Sequence, residues 1–399
     1  MSAATMRCAP PLALYIHFPW CVKKCPYCDF NSHALNAELP EHQYLEALHR
    51  DLALQCAEVA GRRVLSVFLG GGTPSLFSAE SIASVLGAAR RQLEIAADAE
   101  VTLEANPGTI ERGRFAEYRA AGINRVSLGA QSFDAGQLKA LGRIHSVAET
   151  ERAVSELHAA GLSNFNIDLM YALPGQDVAS ALHDIDAALA LTPTHLSHYQ
   201  LTIEAGTVFA AQPPNVPSDD RAAQILEACQ RRLSEANFAQ YEVSAYARAG
   251  FQCQHNLNYW RFGDYLGIGA GAHGKLTVPG SAGIVRTVQW REPRRYMAAA
   301  PAALTRSRVA ARELPFEFML NALRLIDGFP IESYEARTGL SWETAAPMVA
   351  DLARRGLLDV NADRCRPTAL GFRFLNDLLM AFLPQSTVTG ELPALSTAC

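Results

Sequence analysis

The sequence predicts an α/β protein, a parallel barrel or open sheet, followed by a small, mainly helical domain of winged-helix-like character. Three observations predict it. Short apolar runs alternate with amphipathic segments through six units, the pattern of parallel strands joined by crossover helices. Polar residues collect on or just past the later parts of the apolar runs, where parallel barrels carry their active sites. Helix-like stretches then follow, PFEFMLNALRL, IESYEARTG, SWETAAPMVADLARRGLL and LGFRFLNDLLMAFL, with a turn at DGFP.

The first strand is LALYIHF (12–18), running into a cysteine loop. The second, VLSVFL (64–69), precedes GGGTPS; the third, EVTLE (100–104), precedes ANPG. The fourth, NRVSLG (124–129), precedes AQSF; the fifth, NFNIDLM (164–170), precedes YALPG; the sixth, HLSHYQLTI (195–203), precedes EAGT. Helices are expected over 41–59, 78–93, 109–121, 146–160, 176–190 and 218–236. In the first of these, Tyr44, Leu48, Leu52, Cys56 and Val59 keep helical spacing. The crossovers should be right-handed. The expected domains are a core over 1–300, a helical domain over 301–384 and a disordered tail over 385–399.

Bulk composition narrows the function. Of 399 residues, 49% are hydrophobic and 19% charged, enough for a sizeable core and against wholesale disorder. A net charge of −5 gives no reason to expect a nucleic-acid partner. In the helical domain Glu343, Asp351, Arg354 and Arg355 mix signs, which favours a lid or docking role over DNA binding. The first residues, MSAATMRCAPPLAL, do not read as a secretory signal. No run of ~18 apolar residues predicts a membrane span. The nine cysteines are not a disulfide scaffold, and a reducing cytoplasm is the expected compartment.

Cys21, Cys25 and Cys28 follow the first strand with C-x3-C-x2-C spacing. Four thiolates would suggest a closed zinc site. Three suit a [4Fe–4S] cluster with one iron left open to a small ligand. Lys23 and Lys24 would offset part of its negative charge. The alternatives are a chance grouping in a reduced protein, or a zinc site completed by His17 or His33. Cys8, Cys56, Cys229, Cys253, Cys365 and Cys399 are not expected to be ligands.

The strand-end residues suggest a ligand pocket. Gly71, Gly72 and Thr73 lie in a segment whose glycines would admit a ligand to exposed N–H donors, or form a plain tight turn. Glu104 could accept from an amino group or a ribose, or cap the next helix. Gln131 offers both donor and acceptor. Arg143 could pair with a carboxylate, or be an exposed loop residue. Asp168, inside an apolar strand, requires a ligand or a buried partner. Tyr15 and Thr202 complete the set. In QCQHNLNYWRFGDYLGIGAGAHG (252–274), His255 and His273 are candidate metal or heme ligands. Tyr259, Trp260 and Tyr265 could pack on a flat ring; the other reading is a glycine-rich loop closing the barrel mouth.

Through CVKKCPYC the chain resembles the radical S-adenosylmethionine (SAM) superfamily. Within it, the chain resembles the coproporphyrinogen-III-oxidase-like branch, on the side of the heme chaperones. The matching stretches are YIHFPWCVKKCPYCDFNSH, FLGGGTPS, NRVSLGAQSF, LGRIH, NIDLMYALPGQ, HYQLTIEAGT, YEVSAYA and HNLNYW with GDYLGIGAGAHG. The resemblance implies a partial (β/α)6 barrel. Cys21, Cys25 and Cys28 would hold the cluster, whose free iron chelates the amino and carboxylate groups of SAM. Tyr15, Tyr27, Gly71, Gly72, Thr73, Glu104, Gln131, Arg143, Asp168 and Thr202 would line the SAM pocket. One electron from the reduced cluster can cleave SAM to methionine and a 5′-deoxyadenosyl radical. The oxygen-independent coproporphyrinogen oxidases carry a further cysteine two positions after the third; here that position is Phe30, against decarboxylase activity. HNLNYW resembles the heme-binding motif of the chaperones and raises His255 as axial ligand, with the glycine-rich stretch after it as a flexible wall for a large flat ligand. The implied partners are heme-acceptor proteins such as respiratory heme enzymes, and a low-potential electron donor, flavodoxin or ferredoxin. Neither nucleic acid nor a membrane span is implied; a peripheral membrane contact is compatible.

Overall fold

A computed structural model describes residues 9–109, 114–278, 283–299 and 304–384. Cys8, Cys399 and the tail expected to be disordered lie outside the described residues. One sheet of twelve strands organises the molecule. Its first six strands in the chain are β1 (Leu12–Phe18), β2 (Arg63–Gly71), β3 (Glu94–Ala105), β4 (Arg125–Gln131), β5 (Phe165–Tyr171) and β6 (His195–Gln200). They lie side by side in chain order and run parallel. Every residue of β4 is buried, as are six of the seven in β1 and in β5. That is why these strands read as near-continuous apolar runs: helices cover one face and the barrel interior the other.

The crossover helices are Glu41–Gln55, Ala79–Gln92, Arg114–Ala121, Val147–Ala159, Val178–Ala190 and Asp219–Glu235. Their starts are chemically marked. Ser78, Ser146, Asp177 and Ser218 cap four of them by accepting from the N–H three residues on. The first helix stops at Gln55, because Cys56–Val59 tightens into a 3₁₀ turn. A short helix, Ala135–Ala140, lies between AQSF and LGRIH; six residues carry too little periodicity to be read.

The segment expected as a loop over 252–274 is ordered structure. It forms the helix Gln254–Trp260, strand β9 (Asp264–Ile268) and the start of β10 (His273–Val278). The sheet also holds β7 (Ala239–Glu242), β8 (Ala245–Ala247), β11 (Gly283–Val288) and β12 (Thr305–Arg308), in the order β12-β11-β10-β9-β1-β2-β3-β4-β5-β6-β8-β7. Strand β9 pairs parallel with β1; the outer strands on both sides are antiparallel. The two ends of this order are not joined, so the barrel is open. Strand β12 carries the sheet past residue 300, where the domain boundary was expected.

The C-terminal unit packs Leu314–Ala322, Ile331–Thr338, Ala346–Arg354, Ala369–Arg373 and Leu375–Met380 around a small antiparallel sheet of Phe329–Pro330, Arg364–Pro367 and Leu358–Val360. Helices with a three-stranded sheet make it winged-helix-like. Its core includes Phe318, Tyr334 and Leu352, together with Phe262 and Ile284 from the sheet segment. The two units therefore share apolar packing, here and where Leu325 meets Tyr241, Ala245, Ala247 and Leu257.

Candidate functional site

The site starts where β1 ends. Trp20–Cys21 pairs with His33–Ala34, so the cysteine loop closes on itself at the carboxyl end of the barrel. Cys21, Cys25 and Cys28 are all partly exposed. Each thiol has a donor at hand. Thr73 Oγ1 lies 3.5 Å from Cys21 Sγ, an Arg143 nitrogen 3.7 Å from Cys25 Sγ, and Ser32 Oγ 3.5 Å from Cys28 Sγ. Burial pushes Cys21 up to about 11 and also raises Cys28. A bound metal centre would favour the thiolate forms that burial disfavours. Among the described residues no three His, Cys, Asp or Glu side chains converge on a single ion position. Of the two histidines considered as a further zinc ligand, His17 has both ring nitrogens engaged, with Tyr15 Oη at 3.0 Å and the Asn31 carbonyl at 2.9 Å, whereas Nε2 of His33 is buried with no hydrogen-bond partner. Three spread thiols, each beside a donor, suit an anionic iron–sulfur group better than one zinc ion. Lys24 donates to the carbonyls of Phe30 and Ser32 at 3.0 and 3.1 Å, so it stitches the loop.

The glycine segment after β2 is built differently from expectation. Its N–H groups are not free. Gly71 donates to Glu104 Oε2 at 3.0 Å, Gly72 to the Phe18 carbonyl at 2.7 Å, and Thr73 to the Trp20 carbonyl at 2.8 Å. Glycine is required by close approach. At Gly71, with φ +112°, a Cβ would fall 2.3 Å from the His17 ring. At Gly72 a Cβ would fall 2.6 Å from the Trp20 carbonyl oxygen. The segment locks β2 against the cysteine loop.

Glu104 and Asp168 point into the same interior. Burial, reinforced by Asp168, pushes Glu104 up to about 7. Asp168 is raised by burial too, while Asn166 Nδ2 at 2.7 Å and Ser127 Oγ at 3.4 Å donate to it. Two half-buried carboxylates that raise each other's proton affinity favour a ligand that brings an amino group or hydroxyls.

Arg143 is the centre of a second group. Its guanidinium donates to the Gly129 carbonyl at 2.7 Å and to Asn106 Oδ1. Asn106 Nδ2 in turn donates to Thr73 Oγ1 at 2.8 Å. A chain of contacts thus runs from Cys25 through Arg143, Asn106 and Thr73 to Cys21. Gln131 sits at φ +69°, in the left-handed region that only a few per cent of non-glycine residues adopt. Its Oε1 accepts from Tyr199 Oη at 2.6 Å, and burial raises the phenol of Tyr199. Tyr27 is raised by burial and lies near Phe209, 6.3 Å between ring centroids. Thr202 is exposed, beyond the end of β6. Asn106 and Tyr199 were not anticipated. Asn106 was legible as the neighbour of Glu104 in LEANPG; Tyr199 carried no signal within an apolar run.

The two histidines of the later segment part company. His273 is exposed at the start of β10. His255 is 1% exposed, with Ser66 Oγ 3.1 Å from Nδ1 and Tyr259 Oη 3.0 Å from Nε2. The glycines after it are packing positions, so this stretch is no flexible wall. A Cβ on Gly267 would fall 1.9 Å from the His273 carbonyl oxygen, and one on Gly269 2.4 Å from that of His17.

Comparison with known proteins follows the same lines. Residues 15–188 match the Radical SAM superfamily, and residues 309–374 match the HemN C-terminal domain. Heme chaperone HemW of Escherichia coli (strain K12) is 49% identical over 376 residues, 94% of this chain and 99% of that one. Heme chaperone HemW of Haemophilus influenzae is 47% identical over 380 residues, 94% of this chain and 99% of that one. The solved structure of the E. coli coproporphyrinogen III oxidase HemN superposes with a TM-score of 0.79 at 24% identity, covering 95% of this chain and 92% of that one, a likeness of fold. With its open α/β barrel, its C-terminal unit and this level of identity, the chain belongs to the heme chaperone HemW family of the radical SAM superfamily.

Proposed function

We propose that the protein is a heme chaperone on a radical SAM chassis, which takes up heme and passes it to acceptor proteins such as respiratory heme enzymes. The observation that carries the reading is the cysteine loop closed at the carboxyl end of the barrel, beside two half-buried carboxylates. Cys21, Cys25 and Cys28 would hold a [4Fe–4S] cluster. When bound, that cluster supplies electron transfer to SAM, fed by a flavodoxin- or ferredoxin-like donor. Arg143 and Thr73 would offset sulfur charge at Cys25 and Cys21. Glu104 would take the amino group of SAM, and Asp168 a hydroxyl of its ribose. Tyr15, Tyr27, Gly71, Gly72, Gln131 and Thr202 would complete the pocket. Phe30 in place of a further cysteine supports a chaperone over a coproporphyrinogen III oxidase. Among the described residues no helix is long and apolar enough to cross a membrane.

The test is product analysis. Reconstituted protein is incubated with reductant, SAM and either heme or coproporphyrinogen III. The expected result is bound heme that transfers to an apo-acceptor, with no decarboxylation. Conversion of coproporphyrinogen III to protoporphyrinogen IX at a catalytic rate would overturn the reading.

A further inference from the structure

We infer that His255 is a positioning residue in the floor of the barrel, coupling the HNLNYW helix to the SAM and cluster end, and that it does not ligate heme iron. The inference rests on the proposed cluster and SAM sites.

The depth of the residue comes first. Ser66, its partner, lies five residues before Gly71 on β2. At a rise of about 3.3 Å per residue that is roughly 16 Å from the glycine segment. The surrounding groups lie at about the same level, Glu100 in register with Ser66 and Arg125 with Thr102. Glu100 of β3 accepts from the N–H groups of Gln254 and His255, both at 3.1 Å. Arg125, the first residue of β4, lies 3.8 Å from Glu100. The helix Gln254–Trp260 therefore stoppers the amino end of the barrel, opposite the cysteine loop.

The environment of the imidazole comes second. The neutral ring has one N–H and one lone pair, and with Ser66 and Tyr259 within hydrogen-bond distance of its two nitrogens both are engaged, which leaves no lone pair for iron. Aromatic rings enclose it, with Tyr259 at 4.9 Å, Phe68 at 5.0 Å and Tyr15 at 6.3 Å between centroids. A macrocycle would have to displace them. Burial holds the ring neutral, which fits a hydrogen-bonding role.

Third, a route leads to the cluster loop. His255 packs on Tyr15 and Phe68, which are themselves stacked, 6.3 Å between centroids. Tyr15 Oη lies 3.0 Å from His17 Nδ1, and His17 Nε2 lies 2.9 Å from the Asn31 carbonyl, three residues past Cys28. If His17 donates to that carbonyl, its Nδ1 must accept from Tyr15. Trp260, the last residue of the motif, faces the C-terminal unit instead. Trp260 stacks under Arg324, 4.3 Å from its ring centre, and Arg324 pairs with Glu242 at 3.1 Å.

The experiment uses reconstituted full-length protein, wild type and three variants, His255→Gln, His255→Leu and Tyr259→Phe. It reads the heme absorption spectrum and dissociation constant, the SAM dissociation constant, and the change SAM makes in the electron paramagnetic resonance signal of the reduced cluster. Glutamine can keep a hydrogen bond to Ser66 but is a poor axial ligand. The expected result is a wild-type heme spectrum and affinity in His255→Gln and Tyr259→Phe, with SAM binding retained. His255→Leu should weaken SAM about tenfold and alter the SAM-induced signal, at unchanged cluster content and heme spectrum. A shifted heme spectrum with wild-type SAM binding in His255→Gln would overturn the inference. So would wild-type SAM affinity in His255→Leu; if that variant does not fold, the Gln and Phe variants decide. Failure of the wild type to bind SAM or heme at all would instead overturn the proposed function, and this inference with it.

Discussion

At the scale of single residues, the site is a set of groups whose environments resist their charged forms. Glu104 is the clearest case, held near pH 7 by burial and by Asp168. An N–H donated by the amino group of SAM would favour the ionised carboxylate, so binding should release a proton. The sign follows: affinity rises as pH increases from about 6 to about 7.5, because the ligand selects the form populated above the raised pKa. Calorimetric titration across that window checks it, and Glu104→Gln should flatten the profile. A steep rise persisting in Glu104→Gln would remove the carboxylate from the explanation. The thiols make a simpler case. Cys25→Ala should lose the cluster, read as iron and sulfide content, while Cys56→Ala, a cysteine elsewhere on the surface, should keep it. Full cluster content in Cys25→Ala would refute the ligand assignment.

At the scale of elements, glycine placement connects sequence to site. Gly72 is pressed against the carbonyls of Phe18 and Trp20. Gly72→Val should separate β2 from the cysteine loop and weaken SAM binding by at least tenfold, on the reasoning that a clash with backbone cannot relax by side-chain rotation. Gly267→Val probes a different element, the pairing of β9 with β10. A Cβ there meets the His273 carbonyl oxygen at 1.9 Å, and the strand is buried at this position. The expected cost is about 2 kcal/mol or more in chemical denaturation. A midpoint equal to wild type would show that β9 tolerates a shift the packing does not suggest.

At the scale of the whole molecule, a buried ion network lies behind the sheet where the barrel meets the C-terminal unit. Asp264 is fully buried, paired with Lys275 at 3.1 Å and Arg62 at 2.9 Å, and Thr277 donates to it through N–H and hydroxyl. Lys275 also lies 4.2 Å above the ring of Phe262, a member of the C-terminal core. Lys275→Met should destabilise by about 3 kcal/mol, because it leaves part of a buried carboxylate uncompensated. Asp264→Asn in the same chain should recover some of that loss, and denaturant unfolding of both checks it. An additive double variant would mean that the two groups do not interact.

The sequence by itself determined the six parallel strands, their helices and the cysteine loop at the end of β1. The signals were local: apolar runs buried on two faces, helical spacing between them, and thiol spacing within one loop. It also placed Glu104, Gln131 and Asp168 on the later parts of strands, because strand order alone brings those ends together, while Arg143 was legible only as a loop residue that could pair with a carboxylate. Only the tertiary structure decided what each group touches. Asn106 and Tyr199 enter the site through partners far away in the chain, Arg143 and Gln131, which no periodicity reveals. The glycine segment was legible as a turn, but its N–H groups are occupied by carbonyls of the preceding loop and by Glu104. The HNLNYW stretch was read as a heme-binding motif with His255 as axial ligand, on its resemblance to the motif of the chaperones and on residue types that fit one. Tertiary packing turned it inward, since a histidine and a tyrosine four apart on one helix face fill the open floor of a barrel. Composition tells which chemistry a segment can perform; the direction in which the fold points it depends on long-range pairing, such as β9 against β1, that local sequence does not encode.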